Sequence, residues 1–388
     1  MIADLDIDLY SPELIADPYP VFKAIRDAGP VCRLPGGVFA MGRHADLKQA
    51  LSDWSLFSSQ SGVALNETMN DALSGTVLAS DPPLHTGLRQ VVGRPLAPGR
   101  LAALRQKITE TAEALVDDLA SRGEFCAATD LAQHLPLTIV SELVGMPDDG
   151  RRRMLDWAAA VFNSMAMEGS SYAAEALPIV GEMVAYIADA ALPERLVPGG
   201  WAAELHEAVK AGEITKDTFE SLLQAYLAPS LDTTIFATSN LMWLLAKHPE
   251  QWQRLRDRPA LIPRAINEAL RLESPVTGFS RLLTRDANID GVDIPKGSRI
   301  LMLFAAGNRD ERRYPDPDRF DIERDSTDHL SFGHAIHRCV GANLALLEMT
   351  ALLTALTRRV RSIEILEEKR TDHAVLRGFS SLKVRVDC

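Results

Sequence analysis

Apolar residues recur at helical spacing through most of the middle of the chain and alternate with polar ones mainly near its ends. Helical periodicity covers roughly residues 100–121, 130–145, 151–167, 173–191, 201–210, 216–247, 249–256 and 261–272. Turn-forming clusters separate these stretches, notably Pro147-Asp148-Asp149-Gly150, Pro198-Gly199-Gly200 and Pro275. Before them, Pro20–Arg26 reads as a helix, followed by short strands near Val31–Arg33 and Val38–Met41. Strand-like alternation returns at 280–303 and at Leu382–Val386. The pattern predicts a mainly α fold with small β-sheets (α+β). No repeat and no low-complexity linker interrupts it, so residues 1–388 are expected to form a single domain.

Composition narrows the function. Of 388 residues, 46% are hydrophobic and 24% charged, the make-up of an ordinary globular protein. A net charge of −12 argues against nucleic acid or an anionic membrane as the main partner. Cys32, Cys126, Cys339 and Cys388 show no paired spacing, which fits a reducing, cytoplasmic compartment. The acidic segment Met1–Asp8 has no signal-peptide layout. No run approaches roughly twenty apolar residues, so no membrane span is expected.

The densest chemistry lies in Phe332-Gly333-His334-Ala335-Ile336-His337-Arg338-Cys339-Val340-Gly341, just before a strongly helical stretch at 342–348. Backbone N–H groups of such a loop and helix N-terminus stabilise a thiolate, and His337 and Arg338 add positive charge. That suits Cys339 as an axial haem ligand. The residues also allow a zinc cluster of His329, His334, His337 and Cys339, or a plain buried cysteine. The string resembles the haem-binding loop of the cytochrome P450 family, with Ala335 where the family usually has its second glycine.

Three further motifs resemble the same family, in its order and spacing, so that the resemblance spans about residues 15–388. Glu268 and Arg271 lie on one helical face and precede Pro317-Asp318-Arg319-Phe320. The resemblance implies a buried ion network of Glu268, Arg271 and Arg319. Asp81-Pro82-Pro83-Leu84-His85-Thr86-Gly87-Leu88-Arg89 places His85 and Arg89 on one face. The resemblance makes both donors to haem propionates, with Arg281 and His337 as two more. Ala228-Pro229-Ser230-Leu231-Asp232-Thr233-Thr234 falls in a long apolar helix expected from about Thr218 to Leu245. It resembles the family's oxygen-activation motif, with Asp232 relaying protons and Thr233 bonding the activated oxygen. Pro229 lacks an N–H and clashes with the carbonyl of Ala225, so a kink or widened turn is expected there.

The implied protein is a soluble, bacterial-type haem-thiolate monooxygenase. Haem b would lie between the long distal helix and the Cys339 loop, with Cys339 on the metal and Phe332, His85, Arg89, Arg281 and His337 around the cofactor. The Cys-x-x-Cys-His signature of covalently attached haem is absent, so no thioether bonds are expected. O2 and a separate ferredoxin with its reductase are the implied partners. Arg94, Arg100, Arg105, Arg312, Arg313 and Arg338 are candidates for the docking patch. The family alignment places Leu65, Phe162, Ala228, Pro229, Val276, Phe279 and Phe379 at the substrate pocket. These positions are apolar, which favours a small lipophilic, aromatic substrate and resembles members that O-demethylate methoxyaromatic compounds. Hydroxylation of a terpene or other small lipophilic metabolite is an alternative. So is a peroxide-driven peroxygenase, which the Asp232–Thr233 pair argues against, or a haem-based sensor.

Overall fold

The computed structural model describes residues 2–145, 147–227 and 229–388. Most of the expected helices form, and the reason is visible in their buried stripes. The longest, Pro98–Arg122, begins with Pro98 in its first turn and ends on left-handed Gly123. It buries Leu101, Ile108, Ala112, Val116 and Leu119 as one stripe and packs on Ala342–Arg359, the helix that follows the Cys339 loop.

The helix Asp232–Lys247 differs, because residues on every side of it are buried. An all-round apolar helix belongs at the centre of a large protein. It packs against Ile262–Leu272 and against the wide-turn helical segment Ala127–Ala132. The region read as one helix at 130–145 is therefore built of π-helical turns at 127–132 and 136–140, then the short α-helix Ser141–Val144.

Among the described residues the strands gather into three small sheets. The largest runs in the order Ala3–Asp4, Cys32–Arg33, Phe39–Met41, Arg299–Met302, Phe279–Leu283, Phe57–Ser58. A three-stranded sheet joins Ser362–Arg370, Phe379–Asp387 and Glu124–Cys126. Ala287–Ile289 and Val292–Ile294 form a hairpin. One hydrophobic cluster includes residues from Val31 to Val386, so packing crosses the length of the chain. No helix among the described residues is long and apolar enough to cross a membrane.

Candidate active site

The loop before Ala342–Arg359 folds back on itself. Cys339 N donates to Phe332 O at 2.7 Å, and Gly333 N donates to Leu330 O at 2.8 Å. The reversal places Gly333 at φ +68° and Ala335 at φ +52°. Glycine adopts this region freely, whereas alanine is strained there by about 1–2 kcal/mol. Ala335 thus departs from the family pattern at a position whose backbone favours glycine. Cys339 is exposed. Desolvation pushes its thiol pKa up, while the N–H groups of Gly341 and Ala342 and the guanidinium groups of Arg89 and Arg338 act in the opposite direction.

Four hydrogen-bond donors gather beside this loop. His85, on the helix Leu84–Gly93, is buried, and its Nε2 has no partner. His337 Nε2 is likewise without a hydrogen bond, and the two rings lie 4.5 Å apart. Arg281, on Phe279–Leu283, is buried and donates to the carbonyl of Ser280 at 2.8 Å. No carboxylate among the described residues pairs with it within ion-pair distance. Arg89 donates to the carbonyl of Arg338. Desolvation lowers the pKa of His85 to about 4 and of Arg281 to about 10, and it lowers that of His337.

A buried guanidinium without an acid, beside two unpartnered imidazole nitrogens, is a costly arrangement unless an anion completes it. The set fits the two carboxylates of haem. The zinc alternative does not fit. His329 accepts from Ser331 N through Nδ1 at 3.1 Å and meets Asn267 Oδ1 through Nε2 at 3.2 Å. No group of three metal-ligating side chains forms among the described residues.

On the opposite side, the helix expected from Thr218 to Leu245 is two helices, Lys216–Leu227 and Asp232–Lys247. The proline effect is thus a full break rather than a kink. The Ser230 hydroxyl donates to Tyr226 O, and Thr233 Oγ1 donates to Pro229 O at 2.7 Å. These side-chain bonds satisfy carbonyls in the break. Asp232 is 5% exposed, and its Oδ2 has no partner. Desolvation, helped by the charge of Asp156, raises its pKa to about 7.

Comparison with known proteins agrees with this geometry. Residues 202–379 match the family model for cytochrome P450. The chain is 36% identical to cytochrome P450 CYP199A2 of Rhodopseudomonas palustris, over 99% of this chain and 95% of that protein. The chain belongs to the cytochrome P450 family. Linalool 8-monooxygenase of Pseudomonas putida is 29% identical over 97% of this chain and 98% of its own length. The structure of CYP109Q5 from Chondromyces apiculatus superposes with a TM-score of 0.84 at 30% identity, covering 100% of this chain and 99% of that one. As a cytochrome P450, the protein is a monooxygenase that binds haem b.

A buried ion network forms around Glu268, with one arginine different from the expected set. Arg271 Nε and Nη2 donate to Glu268 Oε2 and Oε1 at 2.8 and 2.9 Å, and both residues are fully buried. The second arginine is Arg324, whose Nε donates to Glu268 Oε1 at 3.1 Å. Arg319 was expected in that role. Its side chain is 62% exposed and turns to Asp321 at 3.3 Å, and only its carbonyl reaches Arg271. Asp321 N and the Ser326 hydroxyl also donate to Glu268, so the buried carboxylate is fully served.

The pocket positions separate. Leu65 and Phe279 line an apolar crevice with Val63, Met165 and Leu301. Phe162 is buried and stacks on Phe279, with centroids 6.5 Å apart and planes 18° apart. Val276 is buried and pairs with Leu376, which lines the same crevice. Pro229 lies in the helix break, and Ala228 falls outside the described residues. Phe379 is in the core, between the Arg370 guanidinium at 3.9 Å from its ring centre and the Trp243 ring at 5.8 Å. It does not line the crevice that holds Leu65 and Phe279.

Most of the arginines expected to form a docking patch are already paired. Arg94 pairs with Glu213, Arg100 with Glu204, Arg312 with Asp310 and Glu311, and Arg313 with Asp328. Arg105 and Arg338 make no ion pair with the described residues.

Proposed function

We propose that this cytochrome P450 inserts one oxygen atom from O2 into a small apolar aromatic substrate, with O-demethylation of a methoxyaromatic compound as the leading case. The supporting observation is an aromatic ring at the crevice, packed on two others. Phe279, stacked on Phe162, meets Phe304 edge-on with centroids 6.1 Å apart, and Phe279 lines the crevice with aliphatic side chains. The Phe279 ring offers a flat substrate a stacked or edge contact. The two basic residues of the crevice do not oppose an apolar occupant. Arg377 is bonded to Glu273, and desolvation lowers the His373 pKa to about 4, leaving it neutral.

In this reading the whole chain, residues 1–388, is one cytoplasmic haem domain. Cys339 is the axial ligand, Phe332 flanks it, and His85, Arg89, Arg281 and His337 hold the haem carboxylates. When bound, a thiolate-ligated haem supplies the activation of dioxygen. Asp232, titrating near neutral pH, can both give and take a proton in the working range. Thr233 donates its hydroxyl hydrogen bond to Pro229 O, which leaves its oxygen lone pairs free to accept a hydrogen bond. Electrons come from a separate ferredoxin and ferredoxin reductase, with Arg105 and Arg338 as the unpaired cations available to an acidic partner.

A second reading, oxidation of a terpene alcohol, draws on the similarity to linalool 8-monooxygenase. A Soret titration of the ferric protein separates the two. Guaiacol, syringol, methoxybenzoates and alkylphenols are compared with terpenes and fatty acids. A low-to-high-spin shift with a methoxyaromatic supports O-demethylation. A shift with terpenes or fatty acids alone overturns it.

A further inference from the structure

Asp81 stands at the meeting point of the three elements that carry the cofactor donors. It is buried. Its Oδ2 accepts from Ser58 Oγ at 2.5 Å, and its Oδ1 accepts from Ser59 N at 3.1 Å. Ser58 belongs to a strand that pairs with Leu282, the neighbour of Arg281. The Asp81 carbonyl accepts from His85 N at 3.0 Å, opening the helix that bears His85 and Arg89. Asp81 Oδ1 lies 3.9 Å from Nε2 of His337 on the Cys339 loop. Among the described residues, no other carboxylate comes within ion-pair distance of any of the four donors.

We propose that Asp81 is a positioning residue of the haem cradle, whose fixed negative charge ties the donor-bearing elements together and lowers the haem reduction potential. The inference rests on the placement of haem given under Proposed function. Although buried, Asp81 has a lowered pKa, because the nearby His337 and the hydrogen bonds from Ser58 and Ser59 outweigh desolvation. It is therefore ionised at neutral pH. Its charge acts on Arg281 from beyond ion-pair distance. Beside bound haem it is a third carboxylate next to two propionates. A nearby negative charge opposes the arrival of an electron, more strongly in a low-dielectric site than in water. The donors alone would hold the cofactor; Asp81 adds a fixed orientation and a bias against reduction.

The test is Asp81→Asn in the haem-loaded protein. Asparagine can still accept from Ser59 N through Oδ1 and donate to Ser58 Oγ through Nδ2, so the shape is kept and the charge removed. The expected result is a ferric/ferrous potential more positive than wild type, with haem passing several-fold more slowly to excess apomyoglobin. A haem-loaded variant with normal thiolate ligation and an unmoved potential overturns the inference, since a merely structural carboxylate would leave the potential alone. Should Asp81→Asn not fold, Ser58→Ala carries the same test with the opposite sign. It leaves the carboxylate less neutralised, and the potential should move negative; an unmoved value again overturns the inference. A wild-type protein without thiolate-ligated haem in its carbonyl difference spectrum overturns the site reading itself, and Asp81 with it.

Discussion

Arg324 Nε donates to Glu268 Oε1 at 3.1 Å, although the two residues are 56 positions apart in the chain. Breaking this contact leaves part of a fully buried carboxylate unserved. Arg324→Met should therefore destabilise the protein by about 3 kcal/mol. Arg319→Ala, which removes an exposed side chain, should change stability by less than about 0.5 kcal/mol. Denaturant titration of both variants checks the assignment, and equal effects would contradict it.

Asp232→Asn should slow product formation by about 100-fold, the scale of one lost proton-transfer group. Wild-type turnover should also carry a titration near pH 7, the value burial gives Asp232. That titration should vanish from the pH profile of the variant. Persistence of the same profile in Asp232→Asn would assign the group elsewhere.

Thr233→Ala removes the hydroxyl whose oxygen is free to accept a hydrogen bond near Pro229. Electron uptake should continue while product falls and hydrogen peroxide accumulates. Product, NADH and peroxide measured together give the coupling ratio. An unchanged ratio, with peroxide-driven turnover at the wild-type rate, would favour the peroxygenase reading.

Glu348 lies on Ala342–Arg359, buried, with Oε1 unpartnered, and desolvation raises its pKa from 4.5 to about 8. Between those values the folded protein binds more protons than the unfolded chain, so this group's stabilising contribution is lost as pH rises. Glu348→Gln removes that slope. At about pH 9 the variant should be more stable than wild type by roughly 3–5 kcal/mol, and at about pH 4 nearly equal to it. Unfolding curves at both pH values decide the matter, and a gap that does not grow with pH would rule the prediction out.

Ala335→Gly relieves left-handed strain of about 1–2 kcal/mol against a gain in unfolded-chain entropy of about 0.4–1 kcal/mol. A small net stabilisation is expected. Ala335→Val should lose stability, because a β-branched side chain tolerates positive φ poorly. Thermal unfolding of the two variants should bracket the wild type.

The parts of the site that were legible in the sequence are those encoded in short strings. Cys339 with its flanking loop, His85 with Arg89, and Glu268 with Arg271 each lie within a few residues of one another, and helix or loop geometry then dictates how they meet. Arg324 was not legible, because no periodicity relates it to Glu268 across the intervening segment. The helix break was only partly legible. Leu231 continues the apolar spacing of both flanking helices, so the pattern from 216 to 247 reads as unbroken despite Pro229. The helix His44–Ser52 and the strand Ser362–Arg370 were not read at all. The strand is mostly exposed and rich in charge, so its alternation carries little hydrophobic signal. Phe379 shows the opposite failure: an aromatic side chain says that it will be buried, but not against which neighbours.

The interruption between Leu227 and Asp232 also changes the electrostatics of the acid beside it. A continuous helix would hold Asp232 in mid-span, where the aligned peptide dipoles present no net end charge. Two helices present two positive ends, and Asp232 occupies the first turn of the second. The macrodipole of that helix favours the carboxylate over the carboxylic acid, against the desolvation that favours the acid. Pro229 therefore does more than interrupt the helix. By starting a new dipole at Asp232, it helps poise a deeply buried acid between its two protonation states.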